Sequence, residues 1–209
     1  MRSPPPGELS LQLELPPVSQ QAKAESKAAF GAALRNITKD YQFLLSGDVS
    51  VTVEWTISEQ ARYETDRSPD VDNILKPLLD ATTGPSGVLV DDNQVQHVSC
   101  HWVDSYAGAE RLTIALRYSP DEWLRKDGLY FVQLAGGLCV PLSHDTPLDF
   151  QRAVVLRYES ALKLRNEALA KGIEYYSANF IMPVQRVFHR TRLGAFEVVG
   201  REAFAQRAA

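Results

Sequence analysis

Two stretches limit what this chain can fold into more than any others: Ser68-Pro69-Asp70-Val71-Asp72-Asn73-Ile74-Leu75-Lys76 and its sequel Val88-Leu89-Val90-Asp91-Asp92-Asn93. Ile74, Leu75, Leu78 and Leu79 define one apolar helical face. Pro77 bears on where that helix starts. An interior proline costs about 3 kcal/mol, whereas one in the first turn costs little, so the helix is expected to begin at Asp72 or Asn73. The breaker-rich loop Thr83-Gly84-Pro85-Ser86-Gly87 stops it. Four acidic side chains and a lysine are thereby gathered beside the two ends of one helix. Carboxylates brought together repel one another unless a cation joins them.

Two readings of these acids stand side by side. In the first, Asp70 and Asp72 alternate just before the helix and face one cation at its N-terminal mouth. Asp91-Asp92, at the edge of the next strand, closes the site from the other side. Oxygen ligands with no Cys or His suit Mg²⁺ or Mn²⁺. Such a cation holds a phosphodiester oxygen, lowers the pKa of an attacking water and screens developing charge. Lys76 lies four residues after Asp72 on the same face, where its ammonium can meet the scissile phosphate or the leaving oxygen. In the second reading Asp70 and Asp72 are helix caps, worth about 1 kcal/mol, and Asp91-Asp92-Asn93 is a solvated turn. An EF-hand is excluded, because Leu75 stands at the sixth position from Asp70 where that loop needs glycine.

The rest of the chain reads in order. Leu9, Leu11, Leu13 and Leu15 alternate with polar residues as in a half-buried strand, ended by Pro16-Pro17. Ala22 to about Asn36 reads as a helix with Phe30, Leu34 and Ile37 on its core stripe. Val49, Val51, Val53, Trp55 and Ile57 make a second strand, followed by a polar loop from Ser58 to Arg67. Val98, Cys100 and Trp102 share one strand face, and Leu112, Ile114, Leu116 and Tyr118 mark another strand. A Tyr106-Ala107-Gly108-Ala109 turn is expected to join these two as a hairpin. His97 and His101, about 13 Å apart along the strand, are too far apart to share a metal.

The character changes near residue 119, dividing the chain into 1–118 and 119–209. Ser119-Pro120-Asp121-Glu122 has the spacing of a capping box for a short helix. Leu129 to Leu142, broken by Gly136-Gly137, reads as a small hairpin. Thr146-Pro147-Leu148-Asp149 resembles a cap opening a helix from Leu148 to Lys171, stopped by Gly172. Near the C-terminus Arg186-Val187-Phe188-His189-Arg190-Thr191-Arg192 interleaves basic and aromatic residues, as a nucleic-acid surface does and as a solvated edge also does.

Composition narrows the setting. No apolar run approaches the roughly 20 residues that span a bilayer, and the start lacks the apolar core of a signal peptide; a cytoplasmic location with no membrane is expected. Cys100 and Cys139 stand far apart outside any CxxC pattern, which argues against a disulfide framework or a zinc site. Residues 1–120 carry 10 Lys+Arg against 16 Asp+Glu, and residues 121–209 carry 12 against 10. A polyanion would therefore be gripped by the second part, by local patches or through a metal.

The run Asp70-Val71-Asp72-Asn73-Ile74-Leu75-Lys76, then Leu79-Asp80-Ala81, a glycine-containing loop and Val90-Asp91-Asp92-Asn93-Gln94-Val95, resembles the signature of the RusA family of Holliday-junction resolvases. Leu13 to Ser19, with Pro16-Pro17-Val18-Ser19, is similar to the family's first strand and PPS segment. The resemblance covers about residues 8–118. It implies an α+β fold, a RusA-like mixed sheet with packed helices, to which this chain adds a C-terminal α+β extension. It further implies a Mg²⁺-dependent homodimeric endodeoxyribonuclease that cuts branched DNA in recombination and repair, with Mn²⁺ as an alternative ion. Carried over residue by residue, Asp70, Asp72 and Asp92 are the metal ligands, Asp91 a helper and Lys76 the catalytic lysine. Where family members often carry a basic run before the DxD, Tyr63-Glu64-Thr65-Asp66-Arg67-Ser68 has one arginine and two acids. Arg67, Arg186, Arg190 and Arg192 are the cations expected to meet DNA. The competing expectation is a catalytically degenerate scaffold whose extension is a protein-interaction module.

Overall fold

The computed structural model describes residues 4–66, 68–106 and 110–207, and the chain divides into two compact units, Met1–Trp123 and Leu124–Ala209. In the first, β1 (Glu8–Leu13) buries Leu9, Leu11 and Leu13 on one face. α1 (Ala24–Thr38) buries Phe30 and Leu34. β2 (Phe43–Leu45) and β3 (Val49–Ile57) follow, then the helices α2 (Glu59–Tyr63) and α3 (Val71–Thr82), and the strands β4 (Val95–Asp104) and β5 (Arg111–Tyr118). A four-stranded sheet runs in the order β1-β5-β3-β4. Its β3–β4 pair is parallel, and its other two pairs are antiparallel. The α+β class with a mixed sheet is therefore what the chain adopts.

β3 lies between β5 and β4, and its Val49, Val51, Val53, Trp55 and Ile57 are each at most 1% exposed. Ile74 and Leu78 of α3 join Phe30 and Leu34 of α1 in the same core. The expected β4–β5 hairpin is not formed, since β3 lies between the two strands. Gln96, His97 and His101 leave β4 too polar for the middle of a sheet, so it takes an edge. The turn assigned to Tyr106–Ala109 falls largely outside the described residues, and so does Arg67.

Two short segments also depart from expectation. The Ser58–Arg67 loop contains α2, whose Ser58 side chain accepts a bond from Ala61 N at 3.2 Å. None of its residues is buried, so no apolar stripe announced it. Conversely Ser119–Glu122 forms a turn rather than a helix, closed by Glu122 N on Ser119 O at 3.2 Å. Trp123, immediately after it, is drawn into extended structure and packs on the core.

A short strand, β6 (Trp123–Arg125), straddles the division between the units. In the second unit β7 (Leu129–Gln133) and β8 (Leu138–Ser143) form the expected antiparallel hairpin. α4 (Leu148–Ala170) and α5 (Tyr175–Asn179) come next, followed by β9 (Phe188–His189), β10 (Val198–Gly200) and α6 (Arg201–Arg207). The sheet order is β10-β7-β8-β9. α4 stops as read from sequence, at Gly172, whose φ of 83° suits glycine. Thr146 does not cap it; the N-cap is Pro147, with no side-chain bond. Gln151, 2% exposed, fastens the entry to α4 by donating to Ser143 O at 3.1 Å and Thr146 O at 2.5 Å, and by accepting from the Tyr130 hydroxyl.

Candidate active site

The helix carrying the DxD begins earlier than Pro77 suggests. α3 starts at Val71 with Asp70 as its N-cap, so Pro77 is an interior residue. Its missing N–H leaves the carbonyl of Asn73, four residues back, without its helical partner. That carbonyl accepts instead from Gln20 N at 2.7 Å, and the Asn73 side chain accepts from Gln21 Nε2 at 2.9 Å. The segment after Pro16-Pro17 thus replaces the bond that the proline removes and ties down the mouth of α3. Asp70 occupies the cap position, yet its carboxylate makes no capping bond; helix capping does not account for this acid. Asp72 sits in the first turn, near the positive end of the helix dipole. Both side chains are exposed.

The opposite wall is built from backbone hooks. Val88, Leu89 and Val90 are at most 2% exposed. Val88 O accepts from Leu45 N at 2.8 Å, while Val88 N and Leu89 N both bond Thr82 O, at 2.8 and 3.1 Å. Gly87 permits this approach: a Cβ there would lie 2.1 Å from Thr82 O. Gln94, 7% exposed, then locks the turn. Its Oε1 accepts from Val90 N at 2.8 Å and Asp91 N at 3.0 Å, and its Nε2 donates to Leu45 O at 2.9 Å and Gly47 O at 2.8 Å. Asp91 completes the reciprocal cap by accepting from Asn93 N at 3.0 Å. One acid of the pair shapes the turn, and its neighbour Asp92 turns toward α3.

Lys76 bridges the two walls. Its Nζ donates to Asp92 Oδ2 at 2.7 Å and to Asp80 Oδ1, one turn further along α3, also at 2.7 Å. Hydrogen bonding to Asp80, then to Asp92, pushes the ammonium's pKa above the ordinary lysine range. The sequence placed Lys76 one turn from Asp72, but not this bridge. For Asp80 and Gln94 the sequence offers only spacings, Lys76–Asp80 (i, i+4) and Asp91–Gln94 (a cap with a reciprocal Gln).

The donors available at this mouth are carboxylate oxygens, the chemistry a hard divalent cation takes. Asp92 already carries a cation, the Lys76 ammonium, so the site accepts positive charge. Among the described residues no three His, Cys, Asp or Glu side chains stand together as a ready-made metal cage. The structure brings Lys76 to Asp92 and sets Asp70 and Asp72 at the mouth of the same helix; it does not gather the three aspartates.

The other candidate residues lie elsewhere. Arg186, Arg190 and Arg192 belong to the second unit and are exposed, while Phe188 between them is buried edge-on against Phe131 at 5.9 Å. His101 Nε2 lies 3.4 Å from Glu54 Oε1, on the edge strand. Cys100 packs against the core, which pushes its thiol pKa up. In α2 the Arg62 guanidinium lies over the rings of Tyr63 and Trp102, 4.8 and 4.9 Å from their centroids.

The family model described as endodeoxyribonuclease RusA matches residues 12–117, about half of the chain. The match contains α3, the Asp91–Gln94 turn and every acid and lysine just described. This chain belongs to the RusA family of endodeoxyribonucleases. No curated protein matches it, and among the described residues no helix is long and apolar enough to cross a membrane.

Proposed function

We propose that this chain is a divalent-metal-dependent, structure-selective endonuclease that hydrolyses phosphodiesters in branched DNA, as a Holliday-junction resolvase does in recombination and repair. The observation that carries the reading is the Lys76 ammonium at 2.7 Å from Asp92, on the helix whose mouth bears Asp70 and Asp72. Asp70, Asp72 and Asp92 would hold a Mg²⁺ or Mn²⁺ ion. Bound there, the ion supplies a lowered water pKa and a charge against the phosphate oxygens. Lys76 donates a hydrogen bond to the phosphate or the leaving oxygen, where negative charge grows. Asp91 keeps the turn in shape through Asn93 and would serve as a helper to the three ligands. Arg186, Arg190 and Arg192, with Arg67, offer phosphate contacts whose loss would lower the salt dependence of binding. Strand β4 ends the four-stranded sheet, an edge whose backbone is suited to pairing with a second copy, in line with a homodimer.

The deciding experiment incubates the chain with four-way junction, flap, duplex and single-stranded DNA in Mg²⁺ or Mn²⁺, with and without chelator. Cleavage of branched substrates that chelator stops, and that is lost in Asp70→Asn, Asp72→Asn and Asp92→Asn with folding intact, is the expected result. Full activity in all three variants would sink the assignment. A second reading, that the C-terminal unit is a protein-binding module on an inactive scaffold, is favoured by one observation: Tyr176, Phe180 and Val184 are 79%, 89% and 81% exposed. No cleavage of any substrate, with no metal bound, would favour it.

A further inference from the structure

We propose that Asp80 is a positioning residue for Lys76, fixing the ammonium so that it reaches the phosphodiester from one direction. This rests on the catalytic use of Lys76 proposed above. Helix stability does not explain the contact. Asp80 stands in the last turn of α3, which ends at Thr82, where a negative charge opposes the helix dipole. The pair is also ordered Lys then Asp, the weaker direction for an i,i+4 ion pair, and its side chains are 51% and 57% exposed, where such pairs contribute little to stability. Yet the Nζ–Oδ1 distance of 2.7 Å is as short as that to Asp92.

The geometry shows what the contact achieves. A lysine stem has four rotatable carbons, so one partner alone leaves the ammonium free to swing. With Asp92 across the cleft and Asp80 along its own helix, two of the three N–H bonds are committed, and only the third is left for substrate. When a cation competes for Asp92, or a phosphate for the ammonium, Asp80 remains the anchor that belongs to the same rigid element as Lys76. Asp80 touches neither substrate nor ion in this account; it acts through Lys76.

The intact chain, its Asp80→Asn, Asp80→Ala and Asp80→Glu variants and Lys76→Ala are compared by steady-state cleavage of a four-way junction in Mg²⁺ and by the ¹H–¹⁵Nζ signal of Lys76, assigned through its absence in Lys76→Ala. Asp80→Asn and Asp80→Ala should lower kcat at least tenfold with KM within twofold of the parent, and should broaden or shift the Lys76 signal. Asp80→Glu, which keeps the charge, should recover part of kcat. A kcat within twofold of the parent in Asp80→Asn overturns the proposal. So does a lost kcat with an unchanged Lys76 signal, because Asp80 would then act by another route. A parent chain that cuts none of the DNA substrates instead overturns the nuclease reading, and with it the catalytic purpose assigned to Asp80.

Discussion

In the first unit a buried glutamine, Gln94, fills all four of its hydrogen-bonding positions with backbone groups of the turn before β4 and of the segment around β2. In the second, Gln151 ties the Ser143–Thr146 turn to α4 and accepts from Tyr130. The physical task is the same, since buried polar backbone that finds no partner is costly. The surroundings differ. Gln94 sits two residues from Asp92, whose carboxylate accepts from Lys76, whereas Gln151 lies at the start of α4, a helix that exposes Phe150, Leu156 and Leu164. One unit spends its turn on presenting charge and the other on seating a helix.

Substitutions can break that contrast. The largest effect should come from Lys76→Ala: a loss of about 10²–10³ in kcat, as for removal of one preorganised donor, with junction binding retained in a mobility-shift assay. An unchanged rate would remove the lysine's role. Gln94→Leu should follow. It strips partners from Val90 N, Asp91 N, Leu45 O and Gly47 O, each worth about 1–3 kcal/mol if left unpaired. Expected are a lower urea midpoint, faster hydrogen exchange at Val90 and Asp91, and loss of cleavage through the displaced Asp92. Gln151→Leu should cost a comparable amount of stability but leave kcat within about twofold on correctly folded protein; a large kcat loss would mean that the two units are functionally coupled. The smallest effect belongs to Tyr176→Ser with Phe180→Ser. These side chains are exposed, so thermal stability should stay within about 0.5 kcal/mol, while any self-association seen by sedimentation should weaken.

Much of the first unit was legible because its signals are local. The alternation in Leu9–Leu13 and Val49–Ile57 fixed two strands, and the apolar face of Ile74, Leu75 and Leu78 fixed α3. The failures share one cause: a long-range partner overrode a local rule. Pro77 pointed to a late helix start only because nothing in the sequence shows that Gln20 N would take the carbonyl it frees. β4 and β5 looked like hairpin partners because they are adjacent in the chain, but each pairs instead with β3. Ser119-Pro120-Asp121-Glu122 has a cap's spacing, yet Trp123 gains more by reaching the core than a four-residue helix could return.

The sequence by itself determined the α+β class, the RusA membership and the set of residues worth testing, since these depend on periodicity and on residue types at fixed spacings. Only the tertiary structure decided which partner each of these acids bonds. Asp91 and Asp92 are indistinguishable as neighbours in a chain; folding gives the first a backbone N–H to cap and the second the Lys76 ammonium. Asp80 reads as an ordinary helix-surface acid until Lys76 is seen to divide its bonds between it and Asp92. Ion pairs and turn locks are set by distances across the fold, and no local pattern specifies them.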